Sequence, residues 1–127
     1  MDDHDEAEVR LLARLHYAFA VVTALCSLFA IPALRAGAGA IGPPAGEIDE
    51  AYLAALCLLS AGILWAAICV VHAGLLAYIG RLIASHRRRW LIWTFSVLHL
   101  INVPVGTALS IYAFMVLGRP SVKERFR

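Results

Sequence analysis

SHRRRWLIWTFSVLHLINVPVGTALSIYAFMVLGRP, residues 85–120, decides how this chain is built. Three arginines (Arg87, Arg88, Arg89) are followed by Trp90 and about 28 residues without a formal charge. That length suits one long membrane span or two short ones. In its middle stand Asn102, Pro104, Gly106 and Thr107, a turn-forming group at the depth where a broken backbone is least welcome. Whether this segment turns back or runs straight through fixes the topology of everything else.

Working outward, the 127 residues are 61% hydrophobic and 16% charged, with mean hydropathy +0.77. The charges fall in short blocks between long apolar runs, and those runs argue for a polytopic membrane protein. The arginines flank the runs as positive-inside anchors do, so the lipid bilayer is the expected partner and nucleic acid is not. Cys26, Cys57 and Cys69 lie inside apolar runs with no metal-ligand spacing, and they read as small apolar residues. The acidic head and the long apolar run after it do not fit a secretory signal, and AGAGA at 36–40 reads as a loop rather than a cleavage site.

The fold class expected is all-α, an integral membrane bundle. An acidic cytoplasmic head (1–8) precedes a bundle over 9–118, with helices at about 9–34, 51–84, 89–102 and 104–118. A basic cytoplasmic tail (119–127) follows. Pro32 is expected to help end the first helix, and RAGAGAIGPPAGEIDE (35–50) to be an external loop. On the first helix His16, Ala20, Thr23, Ser27 and Ala30 share a stripe. On the second, Gly62, Ala66, Cys69, Ala73 and Gly80 share a seam. Small residues let helix backbones approach, so stripe and seam are expected to face each other.

Lys and Arg number two in the head, one in the first loop, four in the second link and four in the tail. Three spans would leave six inside and five outside; a terminal hairpin puts ten inside and one outside, which favours the hairpin. Arm length favours the alternative, a single span kinked at Pro104, because each arm would reach only roughly 21 Å against a ~30 Å core. The hairpin is the expected fold, and it makes both termini cytoplasmic.

The run NVPVGTALSIYAFMVLGRP (102–120) resembles the C-terminal signature of small bacterial membrane proteins of unassigned function. These read Asn or Phe, any residue, Pro, any residue, Gly-Thr-Ala-Leu, Gly or Ser, any residue, Tyr. Ser110 stands where Gly is usual. The resemblance covers about 20 residues and implies a bacterial inner-membrane helical bundle. It supplies no catalytic residues.

No Asp, Glu, Lys or Arg falls inside an expected span, which argues against a proton-coupled transporter. No hydrolase, nucleotide-binding or zinc motif is present in the sequence either. Two histidines carry the remaining chemistry. His72 and His99 are expected at similar depth on antiparallel helices, with Ser96 on the face of His99 and Trp65 and Phe95 nearby. Facing imidazoles could hold haem b, and a quinone is a further possible ligand. The plainer expectation is that each histidine hydrogen-bonds within the bundle and no cofactor is held. His16 is expected near the interface, and Arg87, Arg88 and Arg89 as topology anchors that can meet lipid headgroups. The function expected is non-enzymatic, an accessory or interaction subunit that self-associates or joins a larger membrane complex. The alternative is an electron-transfer module built on His72 and His99.

Overall fold

A computed structural model describes residues 3–40, 50–100 and 105–126, all of them helix, turn or short connection with no strand among them. The elements are α1 (Asp3–Cys26), a 3-10 turn (Ser27–Phe29), α2 (Ala30–Ala40), α3 (Glu50–Ala84), α4 (Arg89–His99), α5 (Val105–Gly118) and α6 (Pro120–Lys123). Two helical stretches, Asp3–Gly39 and Glu50–Ala84, are long and apolar enough to cross a membrane, and Gly106–Gly118 is a shorter apolar helix. The chain divides into two compact units: Met1–Phe19 with Leu75–Arg127, and Ala20–Gly74.

In the unit Ala20–Gly74, the α1–α2 stretch and α3 run antiparallel. A Cβ added to Gly37 would come within 2.8 Å of the Leu59 amide nitrogen and 2.9 Å of the Ala55 carbonyl oxygen. Such an approach is open only to glycine. At Gly62 the nearest atoms are instead those of the Leu34 side chain, at 3.0 Å. Ala20, Ala30 and Gly37 are buried on one helix, and Ala55, Gly62, Cys69 and Ala73 on the other, with Thr23, Ser27 and Ala66 half-buried.

Two expectations about the end of the first helix are corrected. RAGAGA is helical to Ala40 and is not a loop; the close seat of Gly37 against α3 outweighs the roughly 1 kcal/mol that a helical glycine costs. Pro32 does not end the helix. The 3-10 turn at Ser27–Phe29 lies just before it, where a proline would otherwise clash with the carbonyl four residues back. That turn has a second consequence. The Ala30 N–H bonds to the Ser27 carbonyl, and the indole N–H of Trp65 donates to the Cys26 carbonyl at 3.2 Å. Residues 41–49 of the expected loop lie outside the described residues.

The other unit holds a second core. Val9, Leu12, Ala13 and His16 on α1, Leu76, Ile79 and Ile83 on α3, Ile92 and Ser96 on α4, and Leu109, Ala113 and Val116 on α5 are buried. Each set repeats every three or four residues, so each helix turns one stripe inward. Gly80 sits against Ala13, His16 and Tyr17, with a Cβ placed 3.3 Å from each. The link after α3 turns through His86 at φ 52°. There the Arg87 N–H donates to the Leu82 carbonyl and the His86 N–H to the Ile83 carbonyl, each at 3.1 Å. These two bonds close the helix end around a left-handed residue.

Helices α4 and α5 form the expected hairpin. Arg89 Nη2 donates to the Leu117 carbonyl at 2.8 Å near the open end. The rings of Trp93 and Phe114 lie 4.9 Å apart farther in, and Thr107 Oγ1 donates to the Leu100 carbonyl at 2.9 Å near the tip. This register is that of two antiparallel helices. Asn102 and Pro104, to which the sequence assigns the turn, lie outside the described residues.

Candidate functional site

The polar chemistry of the described residues gathers where α1 begins and the chain ends. Asp5 and Glu8 are one turn apart on α1 and share a face. Opposite them stands Arg119, in extended backbone just before α6, with Pro120 at the first position of that helix. Arg119 Nη1 donates to Asp5 Oδ1 at 2.8 Å and approaches Glu8 Oε2 at 2.9 Å, while Nη2 donates to Glu8 Oε1 at 3.2 Å. Ser121 Oγ donates to the second Asp5 oxygen at 2.5 Å, and His4 Nδ1 is 3.4 Å from Glu8. The Ser121 hydroxyl and the Arg119 guanidinium hold the Asp5 carboxyl below the usual carboxylate range.

Apolar contacts support this tie. Val122 and Phe126 are buried, and the Phe126 ring lies 5.2 Å from that of His86 in the α3–α4 link. Glu6 pairs with Arg10 on the exposed side of α1, and this partner lowers the Glu6 carboxyl in turn. The residues expected as a separate acidic head and a separate basic tail are thus bound to each other. Both belong to one unit.

The three link arginines have different positions. Arg89 is half-buried, caps the end of α5 through the Leu117 carbonyl, and lies 5.6 Å from the Trp93 ring. Arg87 and Arg88 are exposed. Helical spacing carries the signal for this division: Arg89, Ile92, Ser96 and His99 recur at 3, 4 and 3, so Arg89 lies on the inward stripe of α4.

His72 is half-buried on α3 in one unit, and His99 is buried near the end of α4 in the other. The indole of Trp65, expected beside His72, bonds the Cys26 carbonyl. His16 is buried within the protein, its Nδ1 donating to the Leu12 carbonyl at 2.8 Å. The serine hydroxyls within the apolar helices turn back on their own backbones: Ser27 to Ala24, Ser60 to Cys57, Ser96 to Ile92 and Ser110 to Gly106. Each supplies the carbonyl of a preceding turn with a donor, a packing role in an apolar setting. Among the described residues no group of three or more His, Cys, Asp or Glu is placed to hold a metal ion.

No family model matches the chain, and neither the curated proteins nor the solved structures yield a match.

Proposed function

We propose that the chain is an integral protein of the bacterial inner membrane, with two full spans and a short re-entrant hairpin, acting as an accessory or interaction subunit. One observation carries the membrane part of this reading. Only 11% of the most apolar stretch of Asp3–Gly39 and 17% of that of Glu50–Ala84 is buried within the protein. The core helix of a soluble protein buries most of such a stretch. Here Val21, Val22, Leu25, Phe29, Ile63, Leu64, Ile68, Val70 and Val71 face outward, far more apolar surface than water tolerates in one place. Lipid or another apolar helix must cover it.

The subunit role rests on what the polar groups do. Ser96 and Ser110 bond their own helices, Trp65 ties α3 to α1, and the Arg119 cluster ties the two ends of the chain. These groups hold helices together, which is the work of a module that presents apolar faces sideways to partners. The test is the mass of the detergent-extracted protein by light scattering, corrected for bound detergent. A particle of more than one chain, or a defined complex with a second protein, is expected. A homogeneous monomer of 13.8 kDa would overturn the interaction role.

A further inference from the structure

We infer that Arg87 and Arg88, with Arg81, Lys123 and Arg125 beside them, form a docking surface for the phosphodiester headgroups of anionic phospholipids; this rests on the membrane reading above. The argument begins with which charges are already engaged. Asp5 and Glu8 are held by Arg119, Glu6 by Arg10, and the Arg89 guanidinium by the Leu117 carbonyl. The Asp5, Glu6 and Glu8 carboxylates are therefore engaged by Arg119 and Arg10. Within residues 81–126 the exposed cations are Arg81 in the last turn of α3, Arg87 and Arg88 in the link, and Lys123 and Arg125 in the terminal segment, against the exposed carboxylate of Glu124.

Geometry groups these cations. The ring contact between His86 and Phe126 brings the α3–α4 link and the end of the chain together, with Arg125 next to Phe126 in the sequence and Arg87 next to His86. The surface they form meets the start of an apolar hairpin. Trp90, directly after the arginines, is 67% exposed, and Trp93 one turn later is 38% exposed. Indoles beside arginines at the end of an apolar helix match the headgroup layer, where an aromatic ring sits among the carbonyls and a guanidinium reaches phosphate. Arginine suits this partner because its fork binds two phosphate oxygens at once.

A charge of this kind raises affinity for an anionic surface about fivefold per residue, so losing two should cost more than tenfold. The experiment places the full chain in nanodiscs of phosphatidylcholine alone or doped with phosphatidylglycerol, and compares thermal midpoints at low and high salt. The wild type should melt higher in the anionic discs, with the gain fading in high salt. Arg87→Gln/Arg88→Gln should melt as wild type does in phosphatidylcholine and lose the gain. Arg89→Gln should melt lower in both lipids and keep the gain, since its role is internal. Equal wild-type midpoints in the two discs, or a gain that survives in Arg87→Gln/Arg88→Gln, would overturn the inference while leaving the membrane reading intact. A chain that stays in the aqueous phase without detergent would overturn both.

Discussion

Arg119 Nη1 lies 2.8 Å from Asp5 Oδ1, a contact between residues 114 positions apart that binds the last helix to the first. Because Ser121 and Glu8 complete the cluster, the guanidinium and both carboxylates have their partners within one unit. Such a tie is sensitive to protonation. Ser121 and Arg119 depress the Asp5 carboxyl in the folded state. A group shifted this way contributes stability above its unfolded pKa and loses it as pH falls through the folded value.

The thermal midpoint in detergent should therefore hold from neutral pH to about pH 5 and fall below about pH 4. The Glu6 carboxyl, lowered by Arg10, adds to that fall, so the informative comparison is with Asp5→Asn. This variant should melt lower than wild type at neutral pH and show a shallower decline in acid. An identical acid profile in the two proteins would mean that the tie adds nothing to stability.

The glycines of α2 make a sharper test of packing. Gly37→Val must push a side chain into the backbone of α3, where Leu59 N and Ala55 O stand under 3 Å from the new Cβ. A loss of about 1–3 kcal/mol is expected, measured by unfolding in mixed micelles. Gly39→Ala, two residues on, meets nothing within 4 Å and should gain up to about 1 kcal/mol from helix propensity. Gly62→Ala should fall between them, because the flexible Leu34 side chain can yield where backbone cannot. Equal effects at Gly37 and Gly39 would show that the helices do not approach as described.

How much of this could be read from residues depends on the range of the interaction. Long apolar runs announce long helices, because a helix of given length needs only its own residues. The hairpin was legible from charge: Lys and Arg in the link and the tail favour one side of a membrane, and a returning chain satisfies both. The helicity of RAGAGA was not legible, since its glycines weaken a lone helix and only the seat on α3 reverses the balance. The tie between Asp5 and Arg119 was half-visible. The opposite charges of head and tail suggest attraction, but nothing local selects Arg119 from the four basic residues there. For Arg89 the signal existed in the 3-4-3 spacing with Ile92, Ser96 and His99, and the adjacent arginines obscured it.

Trp65 offers a third prediction. Its indole N–H reaches the Cys26 carbonyl at 3.2 Å, beside the 3-10 turn. Trp65→Phe keeps most of the ring and removes the donor. In the membrane setting proposed above no water replaces it, so a loss of about 1 kcal/mol is expected in bicelle unfolding. Trp90→Phe is the control, since that ring is exposed and no bond of this kind is broken. If both changes prove neutral, the bond contributes nothing to holding α1 against α3.

The last prediction concerns topology, and it follows from the lengths of the hairpin arms. With 11 residues in α4 and 14 in α5, the arms reach roughly 16 Å and 21 Å at the helical rise. Neither crosses a ~30 Å hydrocarbon core, yet the contacts of Arg89 with Leu117, Trp93 with Phe114 and Thr107 with Leu100 keep them side by side. On the membrane reading proposed above, an arm pair of that length is expected to enter and leave by the same face. The predicted topology then returns Gly118 to the side from which Arg89 sets out, with the start of α1, bonded to Arg119 through Asp5, on that side too. On a background with Cys26, Cys57 and Cys69 replaced, single cysteines are introduced after Arg127 and within residues 41–49. Intact cells are then treated with an impermeant maleimide. The 41–49 probe should label in intact cells and the terminal probe only after lysis. Labelling of both in intact cells would mean that the third apolar segment crosses the membrane once, and the paired register of α4 and α5 would have to be abandoned with it.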